Sequence, residues 1–220
     1  MSKKYPKTQI PTLLRSLKPL TINQHKYFQA IKNSKIILVS GLAGTGKSCI
    51  ATYFASKFLV ENEVDRVILT RPAVEACGEQ FGFLKGSLDQ KMMPYLVPVY
   101  EEFEKNLSTA LLNKYKVSRK IEIVPLAFMR GRNFDNCFIV CDESQNASLE
   151  QFKMLLTRLS DSSKIVILGD FEQNDFQSKR CDFEILCEKL NDMDGVSYIS
   201  LGEQDIIRSK FIAEILRRLK

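Results

Sequence analysis

The sequence predicts an α/β fold: a single domain built on a mostly parallel sheet flanked by helices. Three observations predict it. Six short apolar runs rich in β-branched residues recur along the 220 residues, helix-like patterns separate most of them, and one glycine-rich octapeptide, "GLAGTGKS" at 41–48, lies between an apolar run and a helical stretch. Strands alternating with helices make βαβ units around a parallel sheet, and such sheets bind ligands at the C-terminal edge of their strands.

In chain order, residues 1–20 carry Pro6, Pro11 and Pro19 and read as an irregular lead-in, so the folded domain is expected over 21–220. Strands are expected at "KIILVS" (35–40), "RVILT" (66–70), "IEIVP" (121–125), "CFIVCD" (137–142), "KIVILG" (164–169) and "VSYISL" (196–201). A helix is marked at "SLEQFKMLLTRLS", where Phe152, Leu155, Leu156 and Leu159 share one face and Ser148 takes the N-cap. No internal repeat or low-complexity segment interrupts the pattern.

Hydrophobic residues at 45% and charged residues at 26% make an ordinary soluble globular mix. No apolar run approaches the roughly 18 residues of a membrane helix, and "MSKKYPKTQIPTLL" is not a secretion signal. A cytoplasmic chain without a membrane partner is therefore expected. Cys49, Cys77, Cys137, Cys141, Cys181 and Cys187 contain no C-x-x-C pair and His25 is the only histidine, which argues against zinc. Cys137 and Cys141 alternate within an apolar run and read as reduced core residues. The net charge of +6 is uneven: residues 1–60 hold ten Lys or Arg and no acid. Such asymmetry suits a nucleic-acid-facing surface, though a solvated lysine arm is the commoner explanation for charges this scattered.

The octapeptide has the spacing of a phosphate-binding loop: Gly, four residues, Gly, Lys, Ser. Gly41, Gly44 and Gly46 lack Cβ atoms, which lets the loop take positive φ and turn its N–H groups onto an anion. With Leu42, Ala43, Thr45 and Cys49 they form the expected cradle for a nucleoside triphosphate, and the helix starting near Lys47 aims its positive dipole end at the same point. Lys47 is placed to reach the β and γ phosphates, and Ser48 to ligate Mg²⁺.

Two further runs end in polar groups. "CFIVCDESQ" finishes in Asp142, a candidate Mg²⁺ ligand, and Glu143, a candidate base for the attacking water. Alone, such a pair reads as a turn; behind a phosphate loop it reads as catalytic. "KIVILGDFEQ" ends in Asp170 and Gln173, and a glutamine there is able to hydrogen-bond both the γ-phosphate and the water. An Asx turn explains the same letters.

With "TINQHKYFQAI", "LTRPAVEACGEQFGFLKGSL", "FMRGRNFDNCFIVCDESQNASLEQFKMLLTRL", "ILGDFEQNDF" and "DIIRSKFIAEIL", these motifs make nearly the whole chain resemble the PhoH family of P-loop ATPases, relatives of superfamily 1 helicases. "RPAVEACGEQFGFLKGSL" separates that family from P-loop proteins at large. The resemblance implies a RecA-like domain using ATP and Mg²⁺, with Asn23, Gln24 and Tyr27 as the adenine-contacting stretch. A Gln24 amide matches the N6 and N7 edge of adenine, and Tyr27 offers a ring to stack. The chain departs from the family at Lys85, where proline is usual, at Ser144, where alanine is commoner, and at Ser209, where a histidine is usual. None of these removes a catalytic group.

Two functional classes stay open. One is a motor stimulated by single-stranded RNA or DNA, in which Arg130 and Arg132 grip phosphates and Phe128 or Phe134 stacks. The other is an ATP-dependent switch or assembly protein in phosphate-stress metabolism, as the family name implies. A single RecA-like domain supplies only one wall of the site, so a head-to-tail ring of copies is expected. The resemblance favours a hexamer. Arg208 in "EQDIIRSKF" is the candidate arginine finger and Arg132 the runner-up.

Overall fold

Most of the runs are apolar nearly throughout, so a strand made from one presents apolar side chains to both faces of its sheet and must be covered on both, and that sets the architecture. The computed structural model describes residues 13–72, 100–171, 180–207 and 218. Its strands are β1 (Ile36–Gly41), β2 (Arg66–Thr70), β3 (Ile121–Ile123), β4 (Cys137–Cys141), β5 (Lys164–Gly169) and β6 (Val196–Leu201). They form one sheet in the order β3-β2-β4-β5-β1-β6, and every pairing is parallel. The helices that flank it are α1 (Ile22–Asn33), α2 (Lys47–Val60), α3 (Thr109–Val117), α4 (Leu149–Leu156) and α5 (Asp182–Leu190).

Successive strand residues point to opposite faces. Ile37, Val39, Val67, Leu69, Phe138, Val140, Val166 and Leu168 enter one core with residues of α1, α2 and α3. Leu38, Ile68, Ile139, Cys141, Ile165 and Ile167 enter the other with Phe152 and Leu155 of α4 and Phe183 and Leu186 of α5. Each such side chain, fully buried, contributes roughly 1.5–3 kcal/mol. On the first face, edge-to-face ring pairs join α1 to α2 (Phe28–Phe54, 5.0 Å) and α2 to β4 (Phe58–Phe138, 5.2 Å).

The element ends follow local chemistry. Pro125, which has no N–H to donate, lies just past β3, so that strand stops at Ile123 instead of running to 125, and a 3₁₀ turn follows at Leu126–Met129. β4 ends at Cys141, and the Asp142 N–H makes a last bond to Thr70 O of β2 at 2.9 Å, which fixes Asp142 at the strand's end. α4 starts with a capping box: Ser148 Oγ accepts from the Gln151 N–H and the Gln151 side chain accepts from the Ser148 N–H. Residues 13–20 contain neither helix nor strand. They are nonetheless fastened to the body, with Leu13 and Leu17 against the core and the Leu14 N–H donating to Asn106 O at 2.9 Å.

Candidate nucleotide site

The register brings the functional groups to one edge. Val39 of β1 aligns with Leu168 of β5, Ile167 with Cys141 of β4, and Cys141 with Thr70 of β2. The residues that follow these strands, the 42–46 loop, Asp170, Asp142 and Arg71, therefore emerge side by side.

The loop's glycines serve two different ends. Gly44 (φ 83°) and Gly46 (φ 91°) occupy the left-handed region, as expected. Gly41 does not: a Cβ there would lie 2.6 Å from Leu201 O, so this position is glycine because β6 passes too close. Gly46 is also the N-cap of α2 and offers no side-chain cap, which leaves the first amides of that helix for a ligand. Thr45 Oγ1 donates to Leu42 O at 2.8 Å, the Gln24 amide nitrogen donates to Thr45 O at 3.0 Å, and the Ile207 N–H donates to Gly44 O at 3.2 Å. These bonds hold the loop from within, from α1 and from the far end of the sheet.

Lys47 Nζ donates to Gly41 O (2.5 Å) and Leu42 O (3.0 Å), folded back over its own loop. Burial pushes its pKa down, while Asp170, Asp142 and Glu143 pull in the opposite direction. Ser48 Oγ donates towards both oxygens of Asp142, at 3.2 and 3.3 Å. Burial, then the adjacent Glu143, raises the Asp142 pKa, and Arg71, the Glu143 N–H and Ser48 offset part of the rise. Glu143 sits in the left-handed region (φ 53°), a conformation that costs a non-glycine residue energy. Both its oxygens are engaged: Arg71 Nη2 donates to Oε1 at 2.8 Å and Gln145 Nε2 donates to Oε2 at 2.7 Å. Gln145, only 3% exposed, in turn accepts from the Asp170 N–H at 3.1 Å.

These groups surround a cleft of about 480 Å³ lined by the loop, Asp142, Glu143, Gln145, Asp170 and Glu102. Two buried side-chain oxygens among the described residues lack a partner, Thr70 Oγ1 beside β4's end and Glu102 Oε2 on the lining. A site built to hold a polar ligand leaves such groups waiting. A hydroxyl and one carboxylate, completed by phosphate and water oxygens, fit the hard-oxygen preference of Mg²⁺. No cluster of three or more His, Cys, Asp or Glu able to hold a metal occurs among the described residues. Cys49 is half-buried on the cleft lining, and burial pushes the Cys141 and Cys187 thiols up to about 12, which leaves both inert.

The stretch expected at adenine is engaged within the fold beside the loop. Gln24, 1% exposed, uses both ends of its amide, Oε1 on the Leu20 N–H and Nε2 on Thr45 O. Tyr27 is completely buried, with its hydroxyl donating to Lys47 O at 3.4 Å. Asn23 donates to the buried Asp205, which also accepts from Thr21 and the Gly202 N–H. All three brace the loop and the turn after β6. Arg132 is tied to Glu122 at 2.6 Å, next to Arg66 at the start of β2 and away from the cleft, and Phe134 is fully buried. Gln173, Arg208 and the 81–87 loop lie outside the described residues. Sequence reasoning missed Arg71 and Gln145. Both stand at strand ends already marked as ligand-facing, and that position was the available signal.

The profile of the PhoH-like protein family matches residues 16–220. The chain belongs to the PhoH-like family. It is 41% identical over 203 residues to the PhoH-like protein of Mycobacterium bovis, covering 92% of this chain and 57% of that one. The PhoH-like protein of Bacillus subtilis is 38% identical over 203 residues (92% and 63%), and Protein PhoH of Escherichia coli is 35% identical over 190 (84% and 53%). The chain thus spans a little over half the length of these curated relatives. Among solved structures, the large terminase of a thermophilic bacteriophage superposes with a TM-score of 0.59 at 11% identity, covering 92% of this chain and 51% of that one. The Pyrococcus furiosus Hef helicase domain gives 0.50 at 13% (81% and 37%). At such identities the likeness establishes the fold alone, a RecA-like α/β domain. No helix among the described residues is long and apolar enough to cross a membrane.

Proposed function

We propose that this PhoH-like domain binds ATP with Mg²⁺ in the cleft, hydrolyses it, and couples the cycle to single-stranded RNA or DNA. One observation carries the reading: Lys47, the Ser48–Asp142 pair and Glu143 meet around one cavity beside an uncapped helix N-terminus. On nucleotide binding, Lys47 exchanges two neutral carbonyls for phosphate oxygens, a stronger charge-assisted bond. Ser48 and Asp142 hold Mg²⁺, which when bound neutralises charge on the β and γ oxygens. Glu143 gives up one of its two resident donors and receives the proton of the water. That water's oxygen bonds to the γ phosphorus as the bond to the bridging oxygen breaks, and ADP departs with the electron pair. Gln145 keeps Glu143 in register with Asp170, Gln173 reads the γ-phosphate, and Arg208 from a neighbouring copy in a hexameric ring stabilises the transferring group.

Glu143→Gln tests the assignment. ATP binding should persist while turnover falls by about 10²–10⁴; wild-type turnover in that variant removes Glu143 from the mechanism. Coupling is read separately, as the wild-type rate with and without single-stranded oligonucleotide at low salt, and an indifferent rate favours a switch without nucleic acid.

A further inference from the structure

Four arginines are held in ion pairs: Arg66 and Arg132 share Glu122, Arg71 holds Glu143, and Arg180 holds Glu184 and Glu188. One groove gathers cations that are not. A depression of about 550 Å³ between the turn at 127–130 and α4 is lined by Arg130, Lys153 and Arg158, with Glu150 as its single carboxylate. Among the described residues none of the three cations makes an ion pair or side-chain hydrogen bond. Phe128, next to the lining residue Ala127, is 52% exposed.

Three unpaired cations gathered in one groove repel one another, and an anion that spans them relieves the repulsion. A small anion meets one or two of the charges and leaves the ring unused. A duplex hides its base faces and also leaves Phe128 unused. A single strand supplies both regularly spaced phosphates and unstacked bases. We propose that this groove docks a single-stranded nucleic acid, with phosphates on Arg130, Lys153 and Arg158 and a base stacked on Phe128. The site rests on the nucleic-acid half of the proposed function and gives it a location. It also reaches the cleft: the Leu126 N–H, at the head of the same turn, donates to Arg71 O at 3.0 Å, and Arg71 holds Glu143.

The test uses the whole chain and labelled oligothymidylate and oligouridylate of about 20 nucleotides, longer than one site of about 4–16. Fluorescence anisotropy across a salt series gives affinity and the slope of log Kobs against log salt. Replacing Arg130, Lys153 and Arg158 together by Gln should flatten that slope by about 2, at roughly 0.7 per lost phosphate contact. Phe128→Ala should weaken binding about five- to 150-fold at an unchanged slope. A matched control replaces the exposed Lys18, Lys26 and Lys32 by Gln, which removes equal charge from the basic N-terminal quarter and should leave the slope as in wild type. If the groove triple fails to melt cooperatively, Arg130→Gln alone carries the test, with a slope change of about 0.7. A groove variant with the wild-type slope, or a slope lost only in the N-terminal control, overturns the site while leaving nucleic-acid coupling standing. Tighter binding of a duplex of the same sequence also overturns it. If the wild type binds no single strand, both the site and the coupling fall, and ATP hydrolysis without nucleic acid is judged on its own.

Discussion

In the nucleotide cleft, Lys47, Asp142 and Glu143 already have protein partners, whereas along α4 Arg130, Lys153 and Arg158 have none among the described residues. The same elementary charges are thus used in two ways. Partners in the cleft fix each group before any ligand arrives, so a ligand swaps bonds one for one and the benefit appears as preorganisation for the reaction. Cations in the groove give up no protein partner when they meet an anion, and counterions are released instead, so their effect appears as affinity that salt erodes. Changes in the cleft should therefore alter rates and the fold itself, and changes in the groove only binding.

The largest effect tests whether the cleft of one chain is complete. Arg208→Ala should retain nucleotide but lose about 10³–10⁵ in hydrolysis. Mixed with Glu143→Gln protein it should regain activity if the arginine acts across a copy boundary. A mixture that co-assembles and stays inactive confines the arginine to its own subunit.

Next comes the cleft's fit to the fold. Gly41→Ala drives a Cβ into Leu201 O and should cost about 1–3 kcal/mol, which lowers the melting temperature by roughly 2–4 °C for each kcal/mol. An unchanged melt means that β6 yields and the close approach is not binding.

A smaller effect follows from Asp142, whose pKa stands above the ordinary range near about 4 because burial and Glu143 disfavour its charge. The native chain keeps a proton there that the unfolded chain releases. The nucleotide-free domain should then lose stability as pH rises from about 4 through the raised value, with the loss complete above it. Asp142→Asn should remove this component from melts across that window, and a slope that persists in the variant belongs to another group.

The smallest effect is the groove's. Replacing Arg130, Lys153 or Arg158 by Gln should move stability by no more than about 0.5 kcal/mol each. A larger loss by denaturant titration would mean that these cations serve the fold, and the contrast with the cleft would collapse.

Much of this was legible because it is local. The strands at 66–70, 164–169 and 196–201 match their apolar runs, and Ser148 caps α4 as its side chain suggests. The phosphate loop is one continuous octapeptide, so its spacing carries its geometry. Long-range pairing was not legible. Arg71 meets Glu143 only because β2 and β4 align Thr70 with Cys141, 71 positions apart in sequence. The turn at 126–132 shows the limit of pattern: two arginines and two phenylalanines in "FMRGRNF" look equivalent. Yet folding pairs Arg132 and buries Phe134 while it leaves Arg130 and Phe128 outside, because a 3₁₀ turn followed by a loop has no period to read. Gln24 likewise has an amide suited to a base edge, and only the arrival of Thr45 O and the Leu20 N–H shows where that amide is spent.

The position of β1 between β5 and β6 has a consequence for synthesis. Ile36 pairs with Ile165 on one side and with Val196 on the other, so its second edge is filled only about 160 residues later. At about 5–20 residues per second, a nascent chain carries this hydrophobic strand with an open edge for roughly 8–30 s. The octapeptide leaves the ribosome early, but the Leu201 wall and the Ile207 bond that shape it come last. On the proposed function, ATP then stabilises only a chain that has passed β6. Chains stalled before residue 196 should be cleaved equally fast by protease with or without ATP, and chains released past 207 should not.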